Sequence, residues 1–250
     1  MSKVRLTDSG DGVRLLTLTD PDRRNAMGAE MGSELIAACD RVREDSRARV
    51  LVVTGQGRAF CAGADLPALF GDPDRSVTDT HRHLQQYYQA FFSVLALPLP
   101  TISAVNGPAV GAGLNLALAC DVRIAGATAT FGATFAKIGL HPGGGCTWFL
   151  VRALGASRAL QTLLLGDSLD AARAVEWGLA EGVADDPVVD ALGMAERFAA
   201  VAPELARHIK ASVGIAVRTG DLDAVVEYES WAQAASASSP VLQGWVAKFR

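Results

Sequence analysis

The stretch Gly107–Asp121, GPAVGAGLNLALACD, decides how the rest of the chain is read. It follows the apolar run LPTISAVNG, opens on closely spaced glycines, and continues as eight residues with no charge. That is a buried strand, a tight turn and a buried helix. The first N–H groups of such a helix have no partner in the helix itself, and its dipole is positive there. A small-residue turn at that point lets another group approach the backbone. The one amide, Asn115, sits among leucines and alanines.

Two phosphate-binding patterns are tested here and fail. No GxxxxGK[ST] occurs, and a GxGxxG starting at Gly111 and Gly113 needs glycine where Leu116 stands. A second turn of the same character, GRAFCAGADL (57–66), follows the strand-like RVLVVTG. Two such turns either pack tightly for their own sake or supply two converging N–H donors. A pair of that kind stabilises an oxygen gaining negative charge, each donor worth about 10²–10³ in rate.

Outward from these turns, VRLLTLT (13–19) reads as a strand, and 25–45 carries helical spacing through Met27, Met31, Leu35 and Ile36. Residues 81–96 read as a helix and DVRIAG as a further strand. From about Gly145 onward the pattern is almost wholly helical. Strand–helix alternation followed by helices predicts an α/β domain with a helical remainder. The chain has 250 residues, half of them hydrophobic, which suffices for a large core.

Bulk properties exclude several classes. A net charge of −4 and a pI of about 5.6 argue against a nucleic-acid partner. Arg41, Arg43, Arg47 and Arg49 alternate with Glu44 and Asp45 as a solvated helix end would. The uncharged run Leu84–Cys120 is broken by Pro98, Pro100, Pro108 and glycines, so no membrane insertion is expected. The N-terminus shows no apolar run or cleavage site. The four cysteines (39, 61, 120 and 146) form no CxxC pair, so neither a metal site nor a disulfide framework is expected. A cytoplasmic location fits these features.

Taken together and in order, PDRRNAM, GRAFCAGADL, AVNGPAVGAGLNLALACDVRIA, FAKIGLHPGGG and AVEWGLAEGVAD resemble the crotonase (enoyl-CoA hydratase/isomerase) superfamily over roughly residues 10 to 247. The resemblance implies a crotonase-type spiral of ββα units with a C-terminal helical region. Residues 1–190 would form the core with an acyl-CoA site, and 191–250 a helical region that builds a homotrimer or hexamer. It implies an acyl-CoA thioester ligand and no separate cofactor, coenzyme A being part of the substrate. By position, the oxyanion donors would be the backbone N–H groups of Ala64 and Ala112, with Gly111 and Gly113 clearing space. Ala26, Ala62, Asp65 and Leu66 would lie along the adenine and pantetheine edge, and Arg23 and Arg24 near the CoA phosphates. The acyl end would be bounded by Pro142 and Gly143.

Two positions depart from the family pattern. The two glutamates of its hydratases are replaced by Asn115 and Phe135. An amide and a phenyl ring exchange no proton at neutral pH, whereas each general acid or base typically contributes about 10²–10⁴. The usual two-glutamate hydration is therefore expected to be absent. Asn115 would hold a structural or water-mediated hydrogen bond, recognise a polar group of the substrate, or bond locally to backbone. His141 is the candidate replacement acid/base, set against a loop histidine bonded to backbone; His81 and His83 are weaker candidates. Phe131 and Phe135 suggest an apolar acyl pocket or plain core. Lys248 and Arg250 form a short basic tail. The expected function is enolate-forming isomerase or lyase chemistry on an acyl- or enoyl-CoA, with a non-catalytic acyl-CoA-binding protein of lipid metabolism as the alternative.

Overall fold

A computed structural model describes residues 2–249; Arg250 lies outside them. The chain divides into two compact units, one running up to Ala199 and one from Ala200 onward.

The first unit is wound from strand–strand–helix turns. A hairpin of β1 (Val4–Asp8) and β2 (Val13–Leu18) leads through a 3₁₀ turn at Pro21–Arg23 into α1 (Ala29–Glu44). Then β3 (Val50–Gly55) is followed by the short α2 (Leu66–Phe70) and the long α3 (Val77–Leu95). The next turn is β4 (Thr101–Val105), β5 (Pro108–Val110) and α4 (Ala112–Ala119). After it come β6 (Val122–Gly126), β7 (Thr130–Gly132), a 3₁₀ turn at Thr134–Ile138 and α5 (Cys146–Leu165), which breaks at Gly155. Finally β8 (Ser168–Asp170), α6 (Ala171–Glu176), β9 (Gly182–Ala184) and α7 (Pro187–Ala199) close the unit.

The strands sort into two sheets. One runs β1-β2-β3-β4-β6-β9 and is parallel after the first hairpin; the other runs β5-β7-β8. The pairs β4–β5 and β6–β7 each give one strand to each sheet, whereas β1, β2 and β3 all lie in the large one. In the large sheet, successive side chains face opposite ways: Leu51 and Val53 enter one core, Val50 and Val52 the other. The second core is covered by α7, which buries Ala191, Ala195 and Ala199. The boundary expected at residue 190 falls inside this helix, which packs on β3 and β4 and so belongs to the first unit.

The second unit consists of α8 (Pro203–Thr219), α9 (Leu222–Ser236) and α10 (Pro240–Ala247), with α8 packed on α9. The uncharged run from Leu84 to Cys120 resolves into most of α3, then β4, β5 and α4. Among the described residues, no helix is long and apolar enough to cross a membrane. The region after Gly145 is not wholly helical, because β8 and β9 interrupt it. Each has only three residues, too few to register as a period-2 pattern, and pairing with a neighbouring strand is what makes it a strand.

A buried side chain fixes the entry to the functional region. Asn25, fully buried and at φ 55°, donates from Nδ2 to the carbonyls of Gln56 (3.0 Å), Ala59 (2.8 Å) and Phe60 (3.2 Å) and accepts from the Asp20 amide (2.9 Å). Asparagine tolerates this left-handed backbone better than most residues. Replacing it with alanine strands buried carbonyls, so Asn25→Ala is expected to lower unfolding stability by about 1–3 kcal/mol, read by urea denaturation.

Candidate functional site

The turn after β3 is held as an extra strand between two others. On one side the Cys61 amide donates to Pro108 O (3.1 Å) and Val110 N to Cys61 O (3.0 Å). On the other, Ala62 N donates to Arg24 O (2.9 Å), Met27 N to Gly63 O (2.7 Å) and Asp65 N to Met27 O (3.1 Å). Bonds from Met27 to both neighbours of Ala64 form a parallel bridge, so the Ala64 amide itself points away from Met27. It donates to no acceptor among the described residues, and neither does the Ala112 amide, the first of α4. Gly111, at φ 53°, precedes that helix without a side-chain cap, which leaves its first-turn donors open.

Gly63 makes the two turns meet. Its φ of +107° suits glycine, and a Cβ there would stand 2.8 Å from Val110 O and 3.9 Å from Ala112 N. Ala64 is the next residue, so it too lies near the start of α4.

Both residues line a cavity of about 320 Å³. Apolar side chains make up most of the wall, among them Leu66, Phe91, Val110, Phe135 and Leu140. Its polar side chains are Asn115, Thr134, Tyr87, Tyr88 and His141; none of the described wall residues is Asp or Glu. Cys61 lies beneath the wall, where burial pushes its thiol up to about 11 and leaves it a protonated core residue.

Of the residues singled out from the sequence, Ala62, Ala64, Leu66, Gly111, Ala112, Asn115, Phe135, His141, Pro142 and Gly143 share this wall. Asn115 is 2% exposed; its Nδ2 donates to Gly143 O (2.9 Å), while its Oδ1 has no partner. His141 is exposed, and its Nδ1 lies 2.8 Å from Pro142 O. A carbonyl only accepts, so this contact puts a proton on Nδ1, the tautomer in which an uncharged imidazole carries its lone pair on Nε2. Phe135 lines the cavity, but Phe131 is core at 1% exposure.

Other candidates stand elsewhere. Arg23, Arg24, Ala26, Asp65 and Gly113 are off the wall. Asp65 caps α2 by accepting from Ala68 N (3.3 Å) and pairs with Arg23 (2.8 Å), whose guanidinium holds its carboxyl below the usual carboxylate range. Arg24 contributes its carbonyl to the Ala62 amide, and its exposed side chain makes no ion pair among the described residues. The expectation that Gly113 clears room for a ligand is corrected. A Cβ there would overlap the Cys61 carbonyl oxygen and stand 2.8 Å from Cys61 Cβ, so this glycine admits the neighbouring turn instead. His81 and His83 do not reach the wall, and Lys248 lies over the Trp245 ring at 4.2 Å.

The sequence reading missed Tyr87 and Tyr88. Both are half-buried on α3; Tyr87 Oη donates to Met27 O (3.2 Å), and burial pushes both phenols above their ordinary range. Paired tyrosines in a helix with core phenylalanines look like packing, and only the crossing of α3 over the turn at Gly143 brings them to the cavity.

With this geometry in view, comparison with known proteins is decisive. The family model for enoyl-CoA hydratase/isomerase matches residues 8–243. The chain belongs to that family. Among its relatives in the crotonase superfamily, a Mycobacterium tuberculosis protein named as a probable enoyl-CoA hydratase is 51% identical over 214 residues, 84% of this chain and 81% of that one. A 1,2-epoxyphenylacetyl-CoA isomerase of Escherichia coli is 42% identical over 84% of this chain and 77% of its own length. Among solved structures, an enoyl-CoA hydratase of Bacillus anthracis superposes with a TM-score of 0.90 at 28% identity, over 98% of this chain and 96% of that one. The mixed α/β architecture is thus that of the crotonase fold, and the chain is an enoyl-CoA hydratase/isomerase-like protein.

If Gly113 serves the backbone crossing, Gly113→Val must push the two turns apart. The expected outcome is a loss of about 1–3 kcal/mol in unfolding stability, measured by chemical denaturation; an unchanged midpoint would refute the packing role.

Proposed function

We propose that this member of the family binds an acyl- or enoyl-CoA thioester with its carbonyl oxygen between the Ala64 and Ala112 amides, and that it acts through the thioester enolate by isomerisation or a related lyase-type step. The reading is supported by one observation: Ala64 and Ala112, whose amides are uncommitted, line the same cavity, and none of its described wall residues is a carboxylate. Relatives' names alone do not choose the chemistry, since they include a hydratase, an isomerase and a 4-chlorobenzoyl coenzyme A dehalogenase of Arthrobacter that is 32% identical over 96% of this chain.

Within this reading the amides and the α4 dipole stabilise the charge that develops on the thioester oxygen. The α-proton leaves to His141 Nε2, whose lone pair is available because Nδ1–H is bonded to Pro142 O. Hydration has no pair of carboxylates to hold and activate water, because Asn115 and Phe135 stand in their places. Arg24, unpaired where Arg23 is committed to Asp65, is the better match for a CoA phosphate. Ala26 and the Asp65 backbone would border the CoA moiety outside the cavity. The four cysteines are buried and none forms a disulfide among the described residues, which suits a reducing cytoplasm.

The experiment is to follow α-proton exchange of butyryl-CoA in D₂O and hydration of crotonyl-CoA with the same preparation. Exchange is expected, falling about 10²-fold in His141→Ala, with hydration slower still. Brisk hydration that survives His141→Ala would overturn the reading. Tight thioester binding without exchange or hydration would instead establish a non-catalytic acyl-CoA-binding protein.

We also assign the helical remainder to assembly as a homotrimer or hexamer. The supporting observation is apolar surface on α9 and α10, where Trp231 is 72% and Trp245 56% exposed. Sedimentation at micromolar concentration is expected to give three or six subunits; a monomer would remove this assignment.

A further inference from the structure

Tyr87 stands on the cavity wall, and the proposed enolate chemistry leaves it without a role. Its hydroxyl is not poised to carry a proton. Oη donates to Met27 O at 3.2 Å, and burial pushes the phenol above its ordinary range. That bond joins α3 to the bridge partner of Ala64, a residue 60 positions earlier in the chain.

Met27 sets where Ala64 stands. Its amide donates to Gly63 O (2.7 Å) and its carbonyl accepts from Asp65 N (3.1 Å), so both neighbours of Ala64 are fastened to it. The Met27 carbonyl has two lone pairs and can take the Tyr87 hydroxyl as well. Yet this pairing is an isolated bridge outside the named strands, and Arg24 and Asn25 lead into it at φ 53° and 55°. A lone bridge lacks the succession of hydrogen bonds that holds a strand in a sheet. Its position therefore depends on what else grips Met27. Tyr87 ties it to a helix of 19 residues that is anchored in the core through Ala90, Phe91 and Val94. One hydroxyl thus couples the helix along the cavity to the bridge that orients the Ala64 amide.

Position matters at this place. A donor stabilises an oxyanion when it stands about 2.7–3.1 Å from the oxygen that gains charge. A displacement of about 1 Å can cost about 10²-fold in rate. We propose that Tyr87 is a positioning residue: its hydroxyl, acting through Met27 O, holds the Ala64 amide at hydrogen-bonding distance from the thioester oxygen. The role is separate from proton transfer, which belongs to His141 in the reading above. This inference rests on that reading and adds the residue that keeps one of its two donors in place.

The test is Tyr87→Phe in the full chain. The variant removes one oxygen and keeps the ring against Tyr88 and Phe91, at centroid distances of 6.1 and 6.3 Å. Met27 O retains its bond from Asp65 N, so no buried group is stranded and the variant is expected to fold. Two quantities are measured on native protein and variant. One is α-proton exchange of butyryl-CoA in D₂O; the other is the infrared carbonyl stretch of bound butyryl-CoA labelled with ¹³C at the thioester carbon. In the native protein the stretch is expected to fall on binding, because hydrogen bonds to the oxygen weaken the C=O bond. In Tyr87→Phe that fall should shrink, and kcat for exchange should drop about tenfold while KM stays within about twofold. A variant that keeps the native stretch overturns the inference whatever its rate, and leaves the thioester reading intact. An unchanged kcat, or a loss that falls on KM alone, does the same. A native protein that binds the thioester without lowering its stretch, or does not bind it, overturns both.

Discussion

Two backbone hydrogen bonds join the turn after β3 to β5: Cys61 N to Pro108 O and Val110 N to Cys61 O. Everything that makes a site here depends on that crossing. It is possible only because Gly113 lacks a side chain where the Cys61 carbonyl lies and because Gly63 takes a left-handed backbone beside Val110. Backbone bonds of this kind are individually modest. Their effect is positional, since once both edges of the segment 61–65 are paired, the Ala64 amide is left facing outward next to the start of α4.

The character of the cavity follows from what surrounds those amides. An apolar wall lowers the local dielectric, so the few polar groups on it act strongly. They come from four different elements: α3, α4, the 3₁₀ turn at Thr134–Ile138 and the loop before α5. Asn115 links two of these by donating to Gly143 O. Its Oδ1 is buried without a partner among the described residues.

Much of this could be read before any coordinates. β2, β3, β4 and β6 are apolar runs ended by turn residues, and α1 and α4 show their burial in their spacing and composition. The Gly-Ala-Gly turn announces an uncapped helix start. Harder to read were β5, β7, β8 and β9, three residues each, because partners distant in the chain determine them. Tyr87 and Tyr88 were missed for the same reason: a side chain's environment depends on what crosses above it. Gly113 was read correctly as a close approach but given the wrong visitor.

The sequence by itself determined the winding of strands and helices, the place of the two small-residue turns, and the presence of an amide at position 115 and a phenyl ring at position 135. Those are matters of local pattern and residue chemistry, written in order along the chain. Only the tertiary structure decided that Ala64 and Ala112 line one cavity, that Asp65 is tied to Arg23, and that Asn115, with one oxygen unpaired, shares that wall with Tyr88. The physical reason is distance along the chain: these contacts join residues from 27 to 48 positions apart, and no local preference encodes which of the many possible long-range meetings the packed core will select.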